Sequence, residues 1–217
     1  MAAVFPPWSN TALRIALFVI AASSASLLLL LMAFVRTPWR RRQFNQVDQP
    51  VLFDHRHHSQ DDGIHCLYCH STAARAATAG VPSTDKCMGC HNQIWSQSTL
   101  IEPVRRSYFS GAPIPWNRVY NLPGFTYFNH SIHVNKGVGC ATCHGRVDQM
   151  ARVYQAVSLT MQWCIDCHRQ PERALRPLSE ITNMAWNPSE LEQAAIGPAV
   201  ARELEVRRLI TCTTCHR

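Results

Sequence analysis

The sequence predicts a mainly helical and irregular fold with little regular secondary structure, few strands and one amino-terminal hydrophobic helix. Three observations indicate this fold. Five Cys-x-x-Cys-His motifs account for all ten cysteines, a histidine pattern occurs twice at an almost constant offset, and residues 15–35 form an unbroken run of apolar and small residues.

The Cys-x-x-Cys-His spacing is the attachment signature of c-type haem. Two thiols three residues apart can add to the two vinyl groups of one porphyrin, and the histidine that follows can reach the iron. The predicted attachment residues are Cys66, Cys69, Cys87, Cys90, Cys140, Cys143, Cys164, Cys167, Cys212 and Cys215. The predicted proximal iron ligands are His70, His91, His144, His168 and His216.

Zinc knuckles and disulfides are the alternative interpretation of cysteine pairs. A tetrahedral zinc site needs two such pairs, or one pair with two further ligands. Here every pair is followed by its own histidine, which neither alternative requires. The sequence therefore predicts five covalently bound haem c groups.

Five haems are a large number for a chain of 217 residues. Beyond the first ~45 residues, only about 34 residues remain for each haem, too few to enclose every macrocycle in an apolar core of its own. We expect the porphyrins to pack on one another and serve as the core. The formal charge of +7 falls to about +2 when each ferric haem contributes about −1, so the basic composition does not indicate nucleic-acid binding.

Residues 15–35 predict a transmembrane anchor. Their 21 residues span about 31 Å as a helix, which matches the hydrocarbon core of a bilayer. Trp8 and Trp39 flank the run, as interfacial aromatic residues do. A cleaved signal peptide is the alternative, but the run is long for one and no small-x-small cleavage site follows it before the arginines.

The arginines after the run, Arg36 and 40–42, would by the positive-inside tendency place the remainder of the chain in the cytoplasm. Covalent haem attachment takes place on the opposite, outer face of the membrane. We therefore expect a single-pass protein of the inner (cytoplasmic) membrane with its haem domain on the periplasmic face. The arginines would then contact lipid head groups or a partner subunit.

The remaining histidines reveal a duplication. A Phe-x-His-x-x-His pattern precedes the first motif and recurs before the third; its members are Phe53, His55, His58, Phe128, His130 and His133. The offset between the two copies of this pattern is almost the same as the offset between the motifs that follow them, which begin at Cys66 and Cys140. We interpret this as one two-haem module that occurs twice, and predict that His55, His58, His130 and His133 are distal iron ligands.

Two histidines stand outside the repeat. His57 aligns with Ile132 and His65 aligns with Gly139, so neither position carries a histidine in both modules. We interpret both as surface residues or as residues that contact a ligand without binding iron.

Four distal histidines leave the fifth iron without a second ligand. A methionine thioether is a common axial ligand, and Met150 and Met161 are both candidates by their positions near attachment motifs. Most methionines are packing residues, so the sequence leaves this choice open.

The predicted organisation follows from these assignments. Pro103 and three further prolines favour an extended strap between the modules, and Asn187 is the predicted cap of a helix that Gly197-Pro198 should end, with a second helix leading to Cys212. The segments are an N-terminal tail at 1–14, the transmembrane anchor at 15–35, a linker at 36–50, two-haem module 1 at 51–94, the strap at 95–127, two-haem module 2 at 128–169, and C-terminal helices with the fifth haem site at 170–217.

Four segments carry a resemblance to a known family: AGVPSTDKCMGCHNQI (79–94), WNRVYNLPGFTYFNHSIHV (116–134), CATCHGRVDQMARVYQ (140–155) and LTMQWCIDCHR (159–169). Together with the double histidine pattern, they resemble the pentahaem cytochrome c component of bacterial alternative complex III. The likeness covers roughly residues 50–169. It also includes the single amino-terminal anchor and the five attachment motifs.

The resemblance implies an electron relay within a quinol-oxidising membrane complex. Its implied partners are an iron–sulfur subunit related to molybdopterin oxidoreductases, polytopic quinol-binding membrane subunits, a mono-haem cytochrome c subunit, and, as acceptor, a soluble periplasmic cytochrome or copper protein. The family ligands fall on the four distal histidines named above and on a methionine within 150–161. His65 stands where the family more often has an acidic residue. We expect no further domain after the fifth haem.

Two other functions are alternatives to a relay. An enzyme that reduces nitrogen or sulfur oxyanions needs an open iron position and commonly one altered attachment motif, but all five motifs here end in histidine. A membrane-anchored quinol dehydrogenase that feeds a periplasmic reductase also has one helix and four or five haems. There the first haem follows the helix closely, whereas here the long segment 36–65 separates Val35 from Cys66. We expect an electron-transfer subunit with no catalytic site of its own.

Overall fold

The computed structural model describes residues 4–216. These residues divide into two compact units between Gln43 and Phe44. The ends of the predicted tail and of the carboxy-terminal segment, residues 1–3 and 217, lie outside the described residues.

The first unit consists of one long helix and the turns that follow it. Helix α1, Ser9–Val35, has no buried residue and a mean hydropathy of 2.5 over its most apolar window. At 1.5 Å per residue its 27 residues extend about 40 Å. Within residues 4–216 it is the one helix long and apolar enough to cross a membrane, a property shared by membrane anchors and signal sequences.

The second unit is built from short helices and irregular segments. Its α-helices are α2 (Cys66–Cys69), α3 (Thr84–His91), α4 (Glu102–Ser110), α5 (His130–Asn135), α6 (Cys140–His144), α7 (Met161–Arg169), α8 (Glu190–Glu203) and α9 (Cys212–Cys215). One π-helical turn, Arg56–Asp61, and four 3₁₀ turns, Thr99–Ile101, Val147–Gln149, Pro171–Arg173 and Leu178–Glu180, complete the helical elements of the described chain.

Among the described residues, extended structure is limited to isolated bridges, with no named strand. Three antiparallel bridges of the second unit pair Gln46 with Tyr154, Thr126 with His216 and Val138 with Leu175. The prediction of a mainly helical and irregular fold is confirmed.

The apolar core formed by side chains is small. Val51, Met88, Ile101 and Val104 form a buried cluster, against which the partly buried Trp116 packs. Leu175 is the one large side chain that is almost completely enclosed among the described residues. Side-chain packing of this extent cannot by itself explain a stable domain of this length.

The predicted strap contains a helix, so the expectation of an extended segment is wrong for residues 99–110. Pro103 lies in the first turn of α4, where no backbone N–H is needed for the helix, and its fixed φ suits that position. Ile101 and Val104 bury one side of this element against Met88. The helix ends at Gly111, whose φ of 71° is the left-handed conformation that glycine adopts most readily.

Helix α8 differs from its prediction at its start. Ser189, not Asn187, is the cap: the Glu192 N–H donates to the Ser189 hydroxyl at 3.3 Å, and the Ser189 N–H donates to the Glu192 carboxylate at 2.7 Å. This reciprocal capping box satisfies two backbone donors that would otherwise lack partners. Pro188 therefore precedes the cap.

Helix α8 also continues through Gly197-Pro198, where the sequence predicted a break. Gly197 is buried, and a β-carbon there would collide with the Glu172 carbonyl group. The Gln193 side chain donates hydrogen bonds to the carbonyls of Glu172 (2.7 Å) and Leu175 (2.8 Å). These tertiary contacts hold the helix through the proline. The predicted second helix is absent from 204–211, which is irregular, and helical structure resumes only at Cys212.

The second half of the predicted linker belongs to the second unit. The Phe44 N–H donates to the Gln155 carbonyl at 3.0 Å. The Gln49 side chain donates to the Asn117 carbonyl at 2.8 Å, and the Asn117 amide donates to the Asp48 carbonyl at 2.7 Å. Residues 44–50 are thus fixed on the remainder of this unit.

Candidate haem centres

All ten cysteines have free thiols, and each of the five pairs lies on a helical turn. A helical turn brings residues i and i+3 to one face, which is the arrangement that two thioether bonds to one porphyrin require. Within residues 4–216, no three or more His, Cys, Asp or Glu side chains are grouped around a single ion position. The geometry therefore fits haem attachment better than zinc binding.

The second motif faces a histidine of module 1. The ring centres of His58 and His91 are 6.2 Å apart. Phe53 stacks on His58 with its ring centre at 4.4 Å and an interplanar angle of 28°. The Nδ1 atom of His58 lies 3.0 Å from the Asp54 carbonyl oxygen, and Nδ1 of His91 lies 3.0 Å from the Ile94 carbonyl oxygen.

The fourth motif faces a histidine of module 2 in the same way. The ring centres of His133 and His168 are 6.0 Å apart. Phe128 stacks on His133 at 4.6 Å with an interplanar angle of 30°. The Nδ1 atom of His133 lies 2.8 Å from the Asn129 carbonyl oxygen, and that of His168 lies 2.8 Å from the Leu209 carbonyl oxygen.

The third motif faces the other histidine of module 2. The ring centres of His130 and His144 are 6.3 Å apart, and Nδ1 of His130 lies 2.8 Å from the Ala73 carbonyl oxygen. Burial lowers the pKa of His144 to about 4, and the neighbouring His130 contributes to this lowering. His144 is therefore neutral near pH 7, which is the form that binds a metal.

These three distances test whether the residues fit haem iron. Two imidazole rings that bind one metal ion from opposite sides place their centres roughly 6 Å apart, because each metal–nitrogen bond is about 2 Å long. The observed separations are 6.2, 6.3 and 6.0 Å. The Nδ1 contacts with backbone carbonyls orient the rings and leave Nε2 free, as is usual for ligating histidines. The residues fit the group.

The fourth distal candidate, His55, is placed near His70 of the first motif. Burial lowers the pKa of His55 to about 4, and the charges of His70 and His58 contribute to this lowering. Its Nδ1 atom is buried without a hydrogen-bond partner. In this it differs from His58, His130 and His133, whose Nδ1 atoms all lie near carbonyl oxygens.

The two histidines outside the repeat contact other protein side chains or backbone groups. The Nδ1 atom of His57 lies 3.0 Å from a carboxylate oxygen of Asp61, and its side chain is 68% exposed. Nδ1 of His65 accepts the Leu67 N–H at 3.3 Å, and its Nε2 lies 3.0 Å from the Thr182 hydroxyl. With both nitrogens engaged, His65 has no free atom to offer an iron.

The fifth motif has a proximal histidine but no facing one among the described residues. Nδ1 of His216 lies 3.3 Å from the Phe125 carbonyl oxygen. The two methionine candidates differ: Met150 is buried, with its methyl group near Gly145, whereas Met161 begins α7 and is two-thirds exposed.

The influence of one thiol on the pKa of another indicates which motifs lie near each other. Burial is the main cause that raises the thiol pKa values, and it raises the pKa of Cys143 to about 12. Thiols of adjacent motifs add to the effect in four pairs: Cys90 with Cys69, Cys66 with Cys140, Cys167 with Cys143, and Cys215 with Cys164. If the motifs are numbered one to five along the chain, motif two therefore lies near motif one, motif one near motif three, motif three near motif four, and motif four near motif five. The neighbour order is two, one, three, four, five.

One residue in contact with a centre was missed by sequence reasoning. Tyr120 lies in the strap and packs against His144, with ring centres 4.6 Å apart. A lone tyrosine among prolines carries no periodicity or motif that indicates such a role. Only the fold brings it to the third motif.

Two comparisons with known proteins agree with this geometry. Residues 126–217 match a family model described as "Cytochrome c7 and related cytochrome c". Over 102 residues the chain is 31% identical to a protein of Nitratidesulfovibrio vulgaris (strain Hildenborough) named "Menaquinone reductase, multiheme cytochrome c subunit". That match covers 46% of this chain and 48% of the relative, so the chain spans about half the length of the curated relative that it matches.

The family match covers motifs three, four and five, where two of the three facing histidine pairs also lie. A c-type cytochrome binds its haem covalently, through the cysteines of such motifs. Residues 126–217 are therefore similar to the cytochrome c7 family, and their three Cys-x-x-Cys-His motifs are of the kind through which c-type cytochromes bind haem.

Proposed function

We propose that this chain is a pentahaem electron relay in a quinol-linked membrane complex. The observation that carries the proposal is the set of three facing histidine pairs at 6.0, 6.2 and 6.3 Å. When an iron has two fixed axial ligands, it has no open position for a substrate. Such a centre suits electron transfer, whereas substrate activation needs a free coordination site.

The chain's own residues attach, orient and insulate the cofactors. Bound haem c supplies one-electron chemistry between ferric and ferrous iron. The thiols would hold each macrocycle covalently and the facing histidines would bind its iron, while Phe53 and Phe128 stack on His58 and His133. The neighbour order two, one, three, four, five supports a single line of sites whose ends are the second and fifth motifs.

We further propose Met161, in preference to Met150, as the second ligand of the fifth iron. Cys164 lies one helical turn after Met161, so both share a face of α7, and the nearby thiol of Cys215, in the fifth motif, contributes to raising the pKa of Cys164. Met150 instead packs near Gly145, directly after His144, which already faces His130.

The proposed assembly is an alternative complex III. The resemblance over residues 50–169 supports a relay from menaquinol towards a periplasmic cytochrome or copper protein. The proposed partners are the iron–sulfur, polytopic membrane and mono-haem cytochrome subunits of that complex. Helix α1 supports single-pass anchoring in the inner membrane, and the attachment of haem c on the outer face of that membrane supports a periplasmic haem unit.

In a second candidate function, electrons flow in the opposite direction, towards the quinone. The relative from Nitratidesulfovibrio vulgaris is named as a subunit of a menaquinone reductase, which favours a complex that delivers electrons to menaquinone. A quinol dehydrogenase that feeds a periplasmic reductase is the further alternative. The long separation of Val35 from Cys66, by segment 36–65, weighs against it.

Purification of the tagged chain in mild detergent tests these assignments. A large iron–sulfur subunit that co-migrates with polytopic membrane subunits and a mono-haem cytochrome supports alternative complex III. A lone cytochrome supports the quinol dehydrogenase and contradicts the proposal. Mixing the purified assembly with a menaquinol analogue, and separately the reduced assembly with the quinone, then gives the direction of electron flow.

A further inference from the structure

The strap residue Tyr120 makes several hydrogen-bonding contacts beside the third motif. Its hydroxyl lies 3.3 Å from the Cys143 carbonyl oxygen and 3.2 Å from the Tyr154 carbonyl oxygen. It accepts the Ala156 N–H at 3.1 Å. One phenol therefore connects the last turn of α6 to the segment 154–156.

That segment is itself held from the other side. Gln46 forms an antiparallel bridge with Tyr154, and the Phe44 N–H donates to the Gln155 carbonyl at 3.0 Å. The Phe44 ring packs against Tyr154 with ring centres 5.9 Å apart. The groups that the Tyr120 hydroxyl contacts are thus fixed, so they in turn fix the position of its ring.

The Tyr120 ring meets the imidazole of His144 edge to face, with ring centres 4.6 Å apart and an interplanar angle of 65°. The His144 ring also faces His130, at 6.3 Å with an interplanar angle of 42°. A T-shaped aromatic contact has a preferred geometry. A phenol held at its hydroxyl can therefore restrict rotation of the imidazole that it touches.

We propose that Tyr120 is a positioning residue, which sets the imidazole plane of His144 and so the angle between the two axial ligands of the third haem. This rests on the proposed haem ligation. Residues that hold a ligating histidine tune its orientation and the metal's properties without binding the metal. The angle between axial imidazole planes sets the g-anisotropy of a low-spin ferric haem, which makes the role measurable.

The test is electron paramagnetic resonance of the oxidised, full-length protein in Tyr120→Leu and Tyr120→Phe variants, with haem content measured first. Tyr120→Leu removes both the ring contact and the hydroxyl, and should shift the g-values of one low-spin signal while all five haems remain attached. Tyr120→Phe keeps the ring and loses the three hydroxyl contacts, and should shift the same signal less. Tyr108→Leu is the matched control, because Tyr108 lies on α4 and packs against Phe109.

Each outcome decides the matter. A shift of one signal, absent from the Tyr108 control, supports the proposal. Unchanged signals in a fully loaded Tyr120→Leu protein, or equal changes in several signals, overturn it. If Tyr120→Leu does not mature, Tyr120→Phe decides by the same criterion. A wild-type protein without low-spin haem signals would instead overturn the proposed function.

Discussion

Replacing a distal histidine with alanine should open one iron and no other. His58 and His133 have equivalent surroundings: each stacks on a phenylalanine and faces a proximal histidine at 6.2 or 6.0 Å. Alanine cannot bind iron, so the affected haem becomes five-coordinate. The other four centres keep both ligands, because each faces a different set of side chains.

The magnitude follows from the number of irons opened. Each single variant should bind about one carbon monoxide per protein, or roughly one fifth of the reduced haem, and the wild type close to none. The double variant His58→Ala with His133→Ala should bind about two, because the two histidines face different motifs and effects at independent sites add. The assay is a carbon monoxide titration of the reduced protein, with high-spin signals sought in the oxidised protein.

His65→Ala is the matched control, since both ring nitrogens of His65 already have protein partners. It should leave carbon monoxide binding at the wild-type level. The assignment of ligands is wrong if His65→Ala opens an iron while His58→Ala and His133→Ala do not. Equal carbon monoxide binding by all three variants would also contradict the assignment, because His65→Ala would then open an iron as readily as the two predicted ligands do.

Two further predictions concern the fifth iron and the packing of α8. Met161→Ala should abolish the weak red absorption band of sulfur-ligated ferric haem, together with the step of highest potential in a reductive titration, because thioether ligation raises the potential. Met150→Ala should keep both the band and the step. If Met150→Ala loses them and Met161→Ala keeps them, Met150 is the ligand. Gly197→Ala should lower the free energy of unfolding by about 1–3 kcal/mol, since a β-carbon there collides with the Glu172 carbonyl group. In the control variant Gly124→Ala the β-carbon meets nothing within 4 Å, so its free energy of unfolding should lie within about 0.5 kcal/mol of the wild-type value. Urea titration of both variants measures these free energies.

The elements that the sequence predicted well are those with local signals. Motif spacing determines which side chains share a helical turn, and every attachment motif does lie on one. The two copies of the histidine pattern also share a local geometry, since His58 and His133 each combine a stacked phenylalanine with a carbonyl contact at Nδ1. Short-range spacing carries this information because the ligand and its anchor lie within one turn.

The secondary-structure predictions were wrong where tertiary contacts decide the local structure. Gly197-Pro198 would end an isolated helix, but the contacts of α8 with the Glu172 and Leu175 carbonyls keep it helical. Pro103 was interpreted as a sign of extended chain, whereas it starts α4 once Ile101 and Val104 can be buried. No local pattern reports such burial.

The contacts of Tyr120 could not be predicted from the sequence for the same reason. Its partners at 143, 154 and 156 are 23 to 36 residues away, and the chain between them must fold before the contact exists. The proposed preference for Met161 over Met150 likewise rests on the nearness of Cys164, in α7, to Cys215 of the fifth motif. Distances along the sequence could not decide it.

The central claim, five covalent haems on one chain, is tested most directly by the intact mass of the purified full-length protein together with a pyridine haemochrome assay. We predict a mass that exceeds the polypeptide by five haem groups, and a haemochrome spectrum typical of haem c that gives five haems per chain. Fewer than five additions, or bound zinc in place of haem at any of the motifs, would contradict the account.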